Sequence, residues 1–559
     1  MKKIPLGYSD FKEILSNPEF LYVDKTELIS EFLEGQSKVL LITRPRRFGK
    51  TLNLSTLRYF FDQENSQENK KLFCGLKISH NLKAMALQGT RPVIYFTLKD
   101  CKEQNWENFQ KKIGNLLAEL MIPWTSANNL VLEEPDQNTL KRLRAGTEEI
   151  TLLADSLKFL SRILSSHYGQ SPLILIDEYD VPLQTAWLYG YYDEAISFFR
   201  NFFSAAFKDN PYLWRGVMTG CLRISKESIF TGLNNLEISS VVSEGYSSHF
   251  GLNRDEVKSL LVEYGVEDKT QAIERWYNGY IFGKTVIYNP WSILSFLMSG
   301  EIKAHWVNTS SNDMVHSLLR TSSIEGKKNL EELMAGRCVE ASLLEHSVFD
   351  LIDKDTNNLW NFLYFTGYLK AESIVYPENG KPKALFKIPN QEVLIIFQDS
   401  ITYWFQESSG YESLKNLHTY LKNGDGQEFS LLFENLVSES FSYFDIDGKK
   451  PEQFYHAFTL GLIVTLSDTW NIRSNREAGT GRCDILMTPK NPDHFGVVME
   501  LKTFHPKLEK NLTETAKRAM DQIEKKQYAK ELYNQGCKKV IKIGIGFSGK
   551  ETEILYSIL

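Results

Sequence analysis

An apolar run, Lys38-Val39-Leu40-Leu41-Ile42-Thr43, passes without a break into Arg44-Pro45-Arg46-Arg47-Phe48-Gly49-Lys50-Thr51, and this junction constrains the chain more than any other feature. A short, β-branched apolar run reads as a buried parallel strand. The eight residues behind it match GxxxxGK[ST] at every fixed position except the first, where Arg44 stands. Residues 52–61 read as a helix, so backbone N–H groups at its start can point at phosphate oxygens. In that reading Lys50 reaches the outer phosphates and Thr51 places its hydroxyl on Mg²⁺. Arg44, Arg46 and Arg47 add charge, and Phe48 and Gly49 complete the loop. A basic strand-to-helix turn that binds nothing is the alternative.

Further apolar runs at 92–96, 172–176 and 216–220 are separated by helical-period segments, which predicts a parallel sheet covered by helices. The run at 172–176 ends in Asp177-Glu178. Paired acids at a strand end suit one carboxylate on Mg²⁺, Asp177, and one general base, Glu178. Thr219 and Arg223, at the end of the third run, suit a group that senses the γ-phosphate or serves as an arginine finger. A simple surface pair with Glu227 would explain Arg223 equally.

With 559 residues the chain is long enough for three or four domains. Residues 1–245 hold the features above. Residues 246–350 show no strand runs and read as a helical lid or spacer, with Asn253 as a cap. Residues 351–410 read as a helix followed by two extended pieces. The Gly424-Asp425-Gly426 triplet is a linker signal, and residues 411–559 read as a separate α/β domain. Its expected elements are strands near 482–487, 496–501 and 539–547 and a basic helix at 512–533, with residues 474–477 forming a turn.

That last region carries a second constellation. Asp484 precedes Glu500-Leu501-Lys502, and period-two geometry puts Glu500 and Lys502 on one side of a strand. Two acids can coordinate Mg²⁺ or Mn²⁺ while Lys502 helps activate water, a layout suited to phosphodiester hydrolysis. Glu452 offers a third carboxylate. A solvated hairpin is the alternative. Residues 501–559 carry 12 Lys/Arg against 7 Asp/Glu in a chain of net charge −6. Such local basicity fits contact with a nucleic-acid backbone or, equally, a solvated helix face.

Composition excludes other classes. A net charge of −6 does not suit a coat protein that binds nucleic acid everywhere. The six cysteines form no CxxC pair, which argues against zinc and for a reducing cytoplasm. No apolar run approaches the length of a membrane span, so no membrane partner is expected.

Residues 1 to about 300 resemble the AAA-ATPase-like proteins of bacteria and their symbionts. The resemblance is carried by YVDKT (Tyr22 to Thr26), RPRRFGKT (Arg44 to Thr51), LIDEYDVPL (Leu175 to Leu183), TGCLRISKESIFTGLNNL (Thr219 to Leu236), WYNGYIFG (Trp276 to Gly283) and Tyr288-Asn289-Pro290-Trp291-Ser292. It implies ATP as the ligand and makes Arg44 a family trait. The C-terminal part resembles the PD-(D/E)xK nuclease superfamily through Phe454-Tyr455-His456, Ser474-Asn475-Arg476-Glu477, Gly481-Arg482-Cys483-Asp484, Glu500-Leu501-Lys502 and the helix with Gln522, Lys526 and Tyr528. Cys483 replaces the expected proline.

By resemblance Asp484, Glu500 and Lys502 carry catalysis, Glu452 assists the metal and Gln522 belongs to the substrate side. Lys526 on the same helix is a candidate substrate contact, and Arg482 is a substrate or a structural charge. The implied fold is α/β and multidomain. A P-loop NTPase parallel sheet with a helical lid and a winged-helix-like connector is followed by a restriction-endonuclease-like nuclease domain. The implied function is nucleotide-controlled, Mg²⁺-dependent cleavage of DNA or RNA; assembly into a nucleotide-dependent homo-oligomer is an option these motifs leave open. The alternative is a STAND-like nucleotide switch whose C-terminal domain binds nucleic acid or protein without cutting. A motor that translocates nucleic acid is the third reading.

Overall fold

The computed structural model describes residues 1–126, 132–208, 210–224, 229–230, 235–306, 315, 318–319, 324–334, 336–345, 356–442, 455, 458–459, 462–463, 466, 469–478 and 481–558. It divides into two compact units, Met1–Thr309 with Glu340–Glu392, and Ser310–Val339 with Val393–Leu559.

The first unit is built on five strands: β1 Val39–Thr43, β2 Val93–Thr97, β3 Leu173–Asp177, β4 Arg215–Gly220 and β5 Leu236–Ser239. They pair in parallel in the order β2-β3-β4-β1-β5. β1, β3 and β4 are buried along their whole length, as a sheet covered on both faces requires. Helix α1, Lys50–Phe61, follows β1, and α2, Ile150–Tyr168, precedes β3. Helix α3, Tyr192–Phe207, buries Phe198, Phe199, Phe202, Phe203 and Phe207. Phe199 and Phe203, one turn apart, stack at 5.4 Å.

The expectation of an all-helical stretch at 246–350 is corrected. Helices α4 Arg254–Glu263, α5 Thr270–Tyr277 and α6 Pro290–Ser299 are present, and Asn253 caps α4 through a full capping box with Glu256. Between them β6 Leu252–Asn253, β7 Tyr280–Phe282 and β8 Thr285–Tyr288 form an antiparallel sheet in the order β6-β8-β7. Strands of two to four residues are too short for an alternating pattern to register. Beyond them, β9 Val339–Ser342 joins a further sheet of order β10-β11-β9. There, β10 Lys370–Val375 and β11 Lys383–Lys387 make the antiparallel hairpin expected behind a helix, α7 Thr356–Phe365.

The limit read at residue 410 falls inside α8, Gln391–Asn423, a helix of 33 residues. Gly424, at φ +75°, ends it, and α9, Gly426–Ser442, begins after Asp425. The Gly-Asp-Gly triplet therefore separates two helices.

The second unit contains β12 Trp470–Ala478, β13 Gly481–Pro489, β14 Gly496–Thr503, β15 Val540–Ser548 and β16 Glu551–Ile558, paired in chain order. Only the β14/β15 pair is parallel; the other neighbours run antiparallel. Residues 474–477 lie in β12 rather than in a turn. An edge strand tolerates a polar run such as Ser-Asn-Arg-Glu, which hides it from an apolar pattern. The basic helix is two pieces, α10 Leu512–Lys526 and α11 Ala529–Asn534, divided at Gln527 with φ +56°. Ile523, Tyr528 and Leu532 pack against Val498 and Val540 of the sheet.

Candidate functional site

In the first unit the loop between β1 and α1 turns on Gly49, which sits at φ +81°, a conformation that only glycine adopts without strain. Lys50 is 5% exposed, and its Nζ donates to the backbone oxygens of Arg44 and Pro45 at 2.9 Å each. It also lies 3.4 Å from Cys221 Sγ. The hydroxyl of Thr51 donates to Asp177 Oδ2 at 2.7 Å, and that of Thr219 donates to Oδ1. The strand order explains this meeting, because β4 lies between β1 and β3 and brings Thr219 to the same end of the sheet. Glu178 is half-buried at φ +52°. Burial pushes its carboxyl above the ordinary value, opposed by the Lys50 charge.

Asp180 was not singled out by the sequence reading. It is 1% exposed, and its Oδ2 accepts from Cys221 N at 3.0 Å, Leu222 N at 2.9 Å and Gln184 Nε2 at 2.7 Å. Gly220 makes room for it, since a Cβ there would lie 2.6 Å from Asp180 Oδ1. Asp180 thus straps the segment after β4 to the loop after β3. The available signal was a third acid three residues beyond Asp177.

Three expectations for this site are corrected. Arg44 is fully buried and donates to the carbonyls of Thr43 and Ser239 at 2.8 and 2.9 Å, with the rings of Phe250 and Phe282 at 5.4 and 5.2 Å. Its guanidinium braces the sheet edge and is not offered to a phosphate. Phe48 contributes only backbone to the loop, because its ring is buried against Tyr280 and Phe282. Arg223 pairs with Glu345 at 3.5 Å, while Glu227 lies outside the described residues. Arg46 and Arg47 are the exposed cations of the loop, and Arg47 stacks on Trp291 at 4.2 Å.

In the second unit Asp484 on β13 and Glu500 on β14 belong to adjoining strands, and Asp484 Oδ2 accepts from Leu501 N at 2.9 Å. Lys502 Nζ donates to Glu500 Oε1 at 2.9 Å, as their shared side of the strand predicts. Gln522 on α10 also donates to Glu500 Oε1. Glu500 is 1% exposed, and burial, aided by the Asp484 charge, pushes its carboxyl up to about 7. Its Oε2 is buried with no hydrogen-bond donor among the described residues.

A buried carboxylate oxygen without a donor, beside a second carboxylate, fits a divalent cation held by Asp484 and Glu500. Among the described residues no third His, Cys, Asp or Glu completes that group. Glu452 lies outside the described residues, and so does the side chain of Arg482. Lys526 sits one turn after Gln522 on α10.

Residues 5–230 match the family described as predicted AAA-ATPase, and residues 450–556 match the PD-(D/E)XK nuclease superfamily. The chain joins an AAA-ATPase-like region to a PD-(D/E)XK nuclease-like one. It is also 27% identical over 478 residues to an uncharacterised protein encoded in the vnfD 5′ region of Azotobacter chroococcum mcd 1, covering 84% of this chain and 85% of that protein. The AAA-ATPase-like region contains the Thr51, Asp177 and Thr219 cluster, and the nuclease-like region contains Asp484, Glu500 and Lys502. Among the described residues no helix is long and apolar enough to cross a membrane.

Proposed function

We propose that this chain is an ATP-binding, Mg²⁺-dependent nuclease that cleaves DNA or RNA under nucleotide control. The observation that carries this reading is the buried Glu500 carboxylate, with one oxygen on Lys502 and Gln522 and the other without a donor among the described residues. Asp484 and Glu500 would hold the cation, which when bound would supply Lewis-acid polarisation and lower the pKa of an attacking water. Lys502 holds its ammonium beside the same carboxylate, where it offsets negative charge developing on a phosphoryl oxygen. Gln522 fixes the rotamer of Glu500, and Leu501 N fixes that of Asp484. In the first unit Thr51 and Asp177 would hold Mg²⁺ with a triphosphate, Lys50 would exchange its loop carbonyls for phosphate oxygens, and Glu178 would orient water.

The test is cleavage of labelled DNA and RNA with Mg²⁺ or Mn²⁺, with and without ATP, by wild type, Lys502→Ala and Lys50→Ala. Cleavage lost in the Lys502 variant and altered by ATP only when Lys50 is present supports the reading. Undiminished cleavage by Lys502→Ala overturns it.

The second reading is a STAND-like switch that binds without cutting. It is favoured by contacts from segments distant in sequence: Phe48 of the nucleotide loop packs against Tyr280, and Arg223, just after β4, pairs with Glu345. Nucleotide retained through purification, with no metal-dependent cleavage, would select this reading.

A further inference from the structure

Glu392 is a charged residue that neither site uses, yet it is 0% exposed. It is the second residue of α8 and carries three donors: Ser292 Oγ on Oε2, and the backbone N–H groups of His305 and Trp306 on Oε1, each at 2.7 Å. Burial pushes its carboxyl up to about 7, so its charge depends on those three contacts. Ser292 is the neighbour of Trp291, whose indole N–H donates to His305 O at 3.3 Å and whose ring carries the guanidinium of Arg47 at 4.2 Å. Asn289, fully buried, pins this turn by accepting from Trp291 N at 2.9 Å. Arg47 itself belongs to the phosphate loop and holds φ +69°, a strained setting for a residue with a side chain. A continuous line of contacts therefore runs from the loop through the start of α6 to the first turn of α8. Every member up to Glu392 lies in the first unit, while the rest of α8 is assigned to the second.

We propose that Arg47, Trp291 and Glu392 form a relay that reports the occupancy of the phosphate loop to the long helix α8. This rests on the nucleotide-binding reading above and names the route of its control. A bound polyphosphate competes with Trp291 for the Arg47 guanidinium, because a charge-assisted bond to phosphate is stronger than an exposed cation–π contact. Release of the indole shifts the 291–292 turn and, through Ser292 and the 305–306 amides, the seat of Glu392. Glu392 is a positioning residue in this scheme, since it touches neither nucleotide nor nucleic acid. A ligand shifts such an element only by binding its two arrangements unequally, which Arg47 provides.

The experiment is hydrogen exchange of the full-length protein, free and with ATP·Mg²⁺, in wild type, Glu392→Gln and Ser292→Ala, together with ATP affinity for each. In wild type, ATP is expected to change the exchange rate of amides in the first turns of α8 by about tenfold. Both variants should bind ATP within about threefold of wild type and lose that change. Ser292→Ala removes one hydroxyl and serves if Glu392→Gln fails to fold. A wild-type response retained in the variants, or ATP binding to wild type with no change at α8, overturns the relay alone. No ATP binding by wild type overturns the nucleotide reading and the relay together.

Discussion

Asp177 and Glu500 are carboxylates on central strands of two different sheets, each about 1% exposed. Both oxygens of Asp177 accept hydroxyl donors, from Thr51 and Thr219. Glu500 has Lys502 and Gln522 on one oxygen and no donor among the described residues on the other, and its carboxyl is pushed up to about 7. The first site is closed on itself: Lys50 is bonded to carbonyls of its own loop, so a nucleotide must exchange with contacts already made. The second holds a group whose charged form is poorly satisfied by protein. A ligand at the first site therefore competes with the fold, whereas a cation at the second relieves it.

The sharpest way to break this contrast is Asp484→Ala. Loss of one of the two carboxylates proposed to hold the cation is expected to lower cleavage about a thousandfold while leaving ATP affinity unchanged. Gel-based cleavage beside calorimetric ATP binding checks both halves. A fall in ATP affinity would show that the two sites are not separate.

Arg44 and Lys50 divide stability from ligand binding within the first site. Arg44→Met leaves buried carbonyls at Thr43 and Ser239 without their donor, and is expected to cost about 3 kcal/mol, read as a lower denaturation midpoint. Lys50→Ala should instead weaken ATP about a hundredfold with a smaller change in midpoint. If Arg44→Met weakens ATP as strongly as Lys50→Ala, its assignment as a brace is wrong.

The pH dependence of the second site follows from Glu500. Its folded value, about 7, lies above the ordinary 4.5, so the metal-free fold holds an extra proton between those values and loses stability as pH rises through that window. Mn²⁺ bound at Glu500 as proposed would expel that proton. Affinity should climb about tenfold per unit toward pH 7 and flatten above it. Titration calorimetry of Glu500→Gln beside wild type tests this, and a flat wild-type profile would sink it. The smallest expected effect is that of Lys526→Ala, a two- to threefold loss of nucleic-acid affinity with the salt slope reduced by about one.

Local chemistry made much of the molecule legible. The apolar runs ending in Thr43, Asp177 and Gly220 marked three strands of the parallel sheet, and GKT placed the start of α1. Period-two spacing placed Lys502 beside Glu500. These features repeat within a few residues, so a single segment carries them. What sequence left hidden depends on partners distant in the chain. β12 is a polar edge strand defined by its pairing with β13, and β6 to β8 are too short to show a period.

The roles of the arginines divide in the same way. Arg44, Arg46 and Arg47 are alike as letters in one basic loop, and the sequence determined only that the loop is basic. Tertiary structure decided that Arg44 is buried under Phe250 and Phe282 while Arg47 stays exposed on Trp291. It also decided that Asp180 and Glu392, ordinary acids in sequence, are buried and answered by backbone amides. The physical reason is that a charge takes its role from the dielectric and donors around it, and those are supplied by residues brought together only when the sheet and its covering elements pack.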